Sequence, residues 1–488
     1  MKIWVERPQI DGDRVLFRWR QSEPNPYQLA NEFFFRYEGI ELSHFSNQLF
    51  YEIFLAQQLR VFVGYAKPIE VIFPEPVSSR SIDFWQAFHD ANDIILGPAA
   101  DIERYQPRTA PDPAIRAPKK AAIFYGGGKD SVLALGMLTE IFGNDQVLLI
   151  QYIAPMTPTA GAFAMHESRQ ETMMLEPARA ARGVTTQRIY TDFVANFTQV
   201  GLPLRPNRQL YTAGALPAMI AWGVEYSTVG DTRHDFPILA RPNGKRHYVF
   251  PRSRPEMHAA LSTHYRRVLG FDHTVTNINF PFTTSQDAAL IYKRYSELMS
   301  IAVMCTRGNA KQLYCYRCSK CLNWALYGLA AGYVEPRMDY DRVLTEPLAV
   351  QRFVNYANQG AELTQHGNAP WFKTLTNTPQ TIQPICHSLA SGDPERLKGR
   401  IGRQARANLY TLIAMFGNTR FENHEIVHQD AIDFTGVDLM KRVGELAAEH
   451  YPVKARLPEP WIHGDVDAII DFQTRMPHAV FDLPHIRA

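Results

Sequence analysis

At 488 residues the chain is too long for one ordinary domain, so two or three compact units are expected. Hydrophobic residues make up 45% and charged residues 20%, as in an ordinary soluble globular enzyme. A net charge of +2 gives no global reason to expect DNA or RNA binding and leaves room only for a local basic patch. No run of about 18 apolar residues occurs, so no membrane partner is expected. The start, MKIWVERPQIDGDRV, has charges in its first ten residues and no apolar stretch, so no secretory signal is expected.

In chain order, residues 1–105 read as an N-terminal α/β domain. MKIWVERP and RVLFRW have the character of strands, and NQLFYEIFLAQQLRVF that of a helix. IEVIFPEPVS reads as a strand ending in a turn, with Pro74 and Pro76 as breakers. Residues 106–120, inside YQPRTAPDPAIRAPKK, are proline-rich and poor in apolar residues, which marks a linker.

Residues 121–339 read as an α/β domain with a parallel sheet. AAIFY (121–125) is a short buried-strand run, GGGKDS a glycine turn, and SVLALGMLTEIFG a helix stopped by Gly143. VLLIQYIA (147–154) is the next strand, and a helix around 166–182 stops at Gly183. QRIYTDF, a helix over 209–223 and YSTVGD (226–231) continue the alternation. Strands alternating with helices imply a parallel, doubly wound sheet covered on both faces. From 340 to 488 the strand signals fade, and GRQARANLYTLIAMFG and GVDLMKRVGELAAEHY predict a helical C-terminal region.

The strongest chemical signal is AAIFYGGGKDSVLALG. Glycines between a strand and a helix let backbone N–H groups converge on one anion, and the helix start adds free donors and a favourable dipole end. Asp130 and Ser131 stand where they can cap that helix or touch phosphate and Mg2+. The pattern is neither a Walker loop nor the spacing of a dinucleotide fold.

CTRGNAKQLYCYRCSKCLNW carries the second signal. Cys305, Cys315, Cys318 and Cys321 are four of the five cysteines in the chain, which favours metal binding in a reducing cytoplasm over a disulfide scaffold. Four thiolates can close a tetrahedral Zn2+ site with no open position for water, so a structural role is expected. An iron–sulfur cluster uses the same ligand set. The fifth, Cys386, reads as a plain core residue.

The glycine turn resembles the S-G-G-x-D-S loop of the PP-loop ATP pyrophosphatases. Gly127, Gly128, Asp130 and Ser131 match it, while Gly126 stands where that family has serine and removes one hydroxyl from the cradle. Followed by C-x9-C-x2-C-x2-C, the loop resembles that of the 7-cyano-7-deazaguanine synthases over residues 119–335. Pro206-Asn207-Arg208 and Ser253-Arg254-Pro255-Glu256-Met257 are similar to further segments of that family, and Gly230-Asp231 sits where it has a substrate-side loop. The resemblance implies an adenine nucleotide alpha hydrolase-like fold and ATP-dependent adenylation of 7-carboxy-7-deazaguanine, with transfer of the acyl group to an amine.

The same resemblance implies that Gly126, Gly127, Gly128, Lys129, Asp130 and Ser131 hold the nucleotide and that Lys129, Asp130, Ser131 and Arg254 act in the chemistry. It makes Arg208 and Asp231 candidates for positioning ATP or the base. The bland alternative for Arg208, Asp231, Arg254 and Glu256 is a solvated or salt-bridged surface group. His166 and Glu171 face the same sheet end in a doubly wound fold, although a pair on a helix surface is the simpler reading. Arg241, Lys245, Arg246, Arg252 and Arg254 form a basic run that reads as a solvated loop or a phosphate or partner contact. Longer relatives in anti-phage operons use a protein N-terminus as acceptor, so a protein partner is a further implication. The other readings are a thiolation-type tRNA-modifying enzyme, which calls for an iron–sulfur cluster, and an idle nucleotide-binding scaffold.

Overall fold

The computed structural model describes residues 1–25, 28–63, 68–89, 91–102, 116–196, 210–230, 238–240, 246–248, 255–305, 308, 312–346, 363–366, 369–372, 387–416, 425–433 and 437–454. The chain forms two compact units. The first takes Met1–Gly126, Leu138–Val229 and Pro255–Asn277; the second takes Gly127–Met137, Gly230–Arg254 and Ile278–Ala488.

The strands begin with β1 (Lys2–Val5), β2 (Gln9–Asp11), β3 (Arg14–Gln21) and β4 (Glu32–Tyr37). Next come β5 (Glu70–Ser78), β6 (Ile95–Ala100), β7 (Ala121–Phe124), β8 (Val147–Ile153), β9 (Thr185–Thr191) and β10 (Tyr226–Thr228). A separate hairpin of β11 (Ile238–Ala240) and β12 (Arg246–Tyr248) belongs to the second unit, and β13 (Thr274–Thr276) returns to the first.

One 11-stranded sheet organises the first unit, in the order β13-β10-β7-β8-β9-β4-β3-β1-β5-β6, with β2 paired to β3. From β13 to β9 all neighbours run parallel. Then β9–β4, β4–β3 and β3–β1 are antiparallel, and β1–β5–β6 is parallel again. The sheet strands drawn from 121–339 thus pair in parallel as expected, and the strands of residues 1–105 extend the same sheet and make it mixed. The reason lies in the edge of β9, which would otherwise offer a row of unpaired backbone groups; β4 covers it. Strand β4, EFFFRY, buries every second residue, as a strand with one face on a core does. The prolines read as breakers, Pro74 and Pro76, lie inside β5, where its register with β6 shifts between Ile72 and Val77.

Strand β8, VLLIQYI, is buried almost throughout, as a central parallel strand is. The helices in chain order are α1 (Asn47–Val63), α2 (Ser79–His89), α3 (Lys129–Phe142), α4 (Ala160–Gln170), α5 (Glu176–Arg182), α6 (Leu210–Gly214), α7 (Leu216–Ala221) and α8 (Pro255–His264). A single π turn, Glu171–Leu175, joins α4 to α5. The stops read at Gly143 and Gly183 are found, with φ of 91° and 64°. Helix α1 is largely buried, polar Gln57 and Gln58 included, and its Glu52 is held by Trp85 Nε1 and, at 2.9 Å, by His264 Nε2.

The second unit holds the first turns of α3, then α9 (Thr284–Arg294), α10 (Ser319–Ala331) and α11 (Tyr340–Thr345). Thr283 and Gln286 close a reciprocal capping box at the start of α9. Farther on, helices Arg403–Phe416, Gln429–Asp433 and Asp438–Ala448 are joined by two short strand pairs, Leu363–His366 with Ala369–Phe372 and Val427–His428 with Val453–Lys454. The described part of 340–488 is thus largely helical.

Candidate functional site

Among the five parallel strands the order is third, second, first, fourth, fifth, so the strand order reverses between β7 and β10. In open α/β sheets such a reversal at the carboxyl ends of the strands is where ligands bind. The glycine turn leaves β7 there, and Gly230 lies just beyond β10. Gly127 has φ of +67°, which a residue with a side chain rarely adopts. A β-carbon at Gly126 or Gly128 would meet nothing within 4 Å, so neither glycine is forced by packing and the space beside them is open. Val303 N–H donates to Gly127 O at 2.7 Å, and Lys129 N–H rests on Met304 Sδ at 3.2 Å. Ser131 Oγ donates to Gly128 O at 3.0 Å.

Buried charge is concentrated next to this turn. Lys129 is buried, its ammonium pairs with Asp130 Oδ1, and it stands 4.0 Å from Asp287 Oδ2. Asp287, in the first turn of α9, is fully buried. Asn279 Nδ2 donates to Asp287 Oδ2 at 3.0 Å and to Asp130 O at 3.1 Å. Burial pushes the Asp287 carboxyl well above the usual carboxylate range; the neighbouring Asp130 adds to this, and Lys129 and Asn279 oppose it. Lys129 and Asp130 thus pair at the turn, where Asn279 and Asp287, which the sequence reading did not single out, join them. The available signal was a polar pair flanking the apolar run around Phe280 and Phe282, with a capping box that fixes the helix start between them.

The four cysteines converge on one point. Their Sγ atoms all lie within 4.8 Å of one another, with Cys318–Cys321 at 3.5 Å and Cys315–Cys321 at 4.0 Å. Four sulfurs around one zinc, each ~2.3 Å from it, stand ~3.8 Å apart. The cluster fits a single tetrahedral ion. It is tighter than a cubane cluster requires, where each thiolate sits on its own iron. Cys315 N–H points to Cys305 Sγ at 3.3 Å, and Cys318 caps α10, placing Cys321 in its first turn. Packed so closely, the thiols cannot all ionise by themselves. Hydrogen bonds from Cys318 and Cys321 hold Cys305 low, and the same contacts push Cys318 up to about 11 and Cys321 higher. A bound cation removes that conflict by stabilising every thiolate. The chain thus carries a four-cysteine cluster capable of holding a metal ion, with a geometry that suits zinc.

Arg208, Asp231 and Arg254 lie outside the described residues, as do Arg241, Lys245, Arg252 and Cys386. Arg246 lies in β12 and Glu256 in α8. Glu171 belongs to an ion-pair network of the first unit: Arg179 and, at 2.5 Å, Arg188 flank its carboxylate, and Arg188 also reaches Glu167 and Glu38 at 3.2 Å each. Burial alone would raise the Glu171 pKa, but the two arginines more than offset it and leave it lowered. His166 is half-buried with Nε2 3.3 Å from Gln170 Nε2, and burial followed by Arg169 lowers its pKa. Glu171 is thus engaged in ion pairs and His166 in a contact within α4, and the two are not paired with each other in these contacts. Among the described residues no helix is long and apolar enough to cross a membrane. No family model, no curated protein and no solved structure matches the chain.

Proposed function

We propose that this protein is an ATP-dependent, carboxylate-activating ligase that resembles the 7-cyano-7-deazaguanine synthases and splits ATP between its α and β phosphates. The observation that carries the reading is the glycine turn at the strand-order reversal. It opens a helix, leaves open space beside Gly126 and Gly128, and sets a buried lysine and Asp130 at its end. Such a turn suits a pyrophosphate leaving group, which needs converging N–H donors and a cation where charge develops.

In this reading the carboxylate of 7-carboxy-7-deazaguanine attacks the α-phosphorus of ATP. Pyrophosphate departs, its charge met by the loop amides and the Lys129 ammonium. An amine then attacks the acyl-adenylate carbonyl, loses a proton and expels AMP. Asp130 would hold Mg2+, which neutralises phosphate oxygens. The four-cysteine centre has no open position and takes no part in the chemistry. The close sulfur spacing weighs against the thiolation-type alternative, which needs a multi-iron cluster. Residues 1–105 and 340–488 lie outside the synthase-like part. They offer surface for a larger acceptor such as a protein amine in an anti-phage system.

The test is product analysis by mass with ATP, 7-carboxy-7-deazaguanine, and either ammonia or candidate partner proteins. AMP, pyrophosphate and a deazaguanine-sized mass increase on a partner are expected. ADP and phosphate would remove the loop assignment, and efficient nitrile formation from ammonia with no modified partner would remove the protein acceptor.

A further inference from the structure

We propose that Asp287 is a ligand of a divalent cation that it shares with Asp130 beside the glycine turn. This deepens the ATP-splitting reading by adding a second protein ligand, supplied by a helix that the sequence motif does not include. Asp287 has no exposed surface, and its two oxygens are treated differently. Oδ2 is fixed by Asn279 at 3.0 Å and lies 4.0 Å from the Lys129 ammonium. Oδ1 is buried and accepts no hydrogen bond among the described residues. A carboxylate with one oxygen held by an amide donor and the other left over is oriented as metal-ligating carboxylates are.

Asp130 is a further neighbour of that carboxyl group, within hydrogen-bonding reach of it, and the Tyr451 hydroxyl is near enough to feel its charge. Two carboxylates have no proton to donate to each other, so something positive must sit between them or one must stay protonated. Lys129 supplies one positive charge against two negative ones, and it already contacts the other oxygen of Asp287. A small hard dication meets the need directly. Mg2+ and Mn2+ take oxygen ligands, commonly one or two carboxylates, with phosphate oxygens and water completing the shell. The side of the pair next to the glycine turn is where those phosphate oxygens would arrive.

The probe is Mn2+ alone, titrated into the zinc-loaded full chain and followed by electron paramagnetic resonance. Wild-type protein is expected to bind Mn2+ without nucleotide. Asp287→Asn keeps the shape of the side chain and is expected to weaken Mn2+ binding about tenfold or more. Asp287→Cys is a second variant with a different expectation: Mn2+ affinity is lost, while Cd2+, which prefers thiolate, is bound. Retained zinc reports that each variant is folded. A wild-type chain that takes up no Mn2+, or a folded variant of either kind with wild-type Mn2+ affinity, overturns the proposal. Mn2+ bound through Asp287 in a protein that forms no AMP and pyrophosphate would keep the cation site and bring down the ATP-splitting reading.

Discussion

A β-carbon on Gly230 would stand 3.1 Å from Asp130 Cβ and 3.2 Å from the amide nitrogen of Ser131. The segment leaving β10 thus packs directly on the start of α3, and glycine is the residue that lets it approach so closely. Gly230→Ala must push the Asp130–Ser131 backbone away by a few tenths of an ångström. Misplacement of a loop that positions reacting groups slows the reaction steeply, so pyrophosphate release from ATP is expected to fall about tenfold or more, with zinc content unchanged. Unaltered initial rates would mean that the contact yields freely.

Asp130 itself pairs with Lys129 and faces Asp287. Asp130→Ala is expected to lower turnover about 10²-fold, since it removes a group that holds cation and phosphate as charge develops. Wild-type turnover in this variant would exclude the turn as the reaction site.

The metal centre and the glycine turn are linked by three consecutive residues. Val303 donates to Gly127 O, Met304 Sδ covers the Lys129 amide, and Cys305 belongs to the four-cysteine cluster. One zinc per chain is expected by elemental analysis. Cys318→Ser is expected to destabilise the fold, because a closed thiolate site contributes folding energy. Chelation should also speed amide hydrogen exchange at residues 127–131 while leaving β8 protected. Iron in the elemental analysis, or unchanged exchange in the glycine turn after metal removal, would contradict the linkage.

What the sequence made legible was local. The run from β7 through the glycines into α3 is specified by neighbouring residues, and so is the spacing of the four cysteines. Asp287 was hidden because an acidic residue in the first turn of a helix is ordinary on a surface, and only the tertiary fold buries it. The pairing of Phe35 with Thr191 and of Tyr37 with Ile189 was hidden for a related reason. Alternation in EFFFRY identifies a strand with one buried face but carries no information about which distant strand it joins. Pro74 and Pro76 misled because a proline ends a strand only where its missing N–H is needed, and the register shift in β5 removes that need.

Two fully buried histidines contribute to the acid response of the first unit. His258 and His273 are both buried, and burial pushes each down to about 4. For His273 the Val224 carbonyl bonded to Nδ1 at 2.8 Å pulls the other way without reversing the shift. Unfolded histidine titrates near 6.5, so between about 6.5 and about 4 the unfolded chain binds protons that the folded chain refuses. The stabilisation is complete above that window and is lost as pH falls through it, by about 3 kcal/mol for each residue. Urea midpoints followed by tryptophan fluorescence should therefore drop steadily from pH 7 to pH 4.5. His258 is the cleaner variant, since neither ring nitrogen has a hydrogen-bond partner among the described residues. His258→Leu removes one titrating group and no ring hydrogen bond, and should make the acid-induced drop shallower. An acid slope identical to that of the wild type would show that His258 takes up its proton in the folded protein as readily as in the unfolded chain.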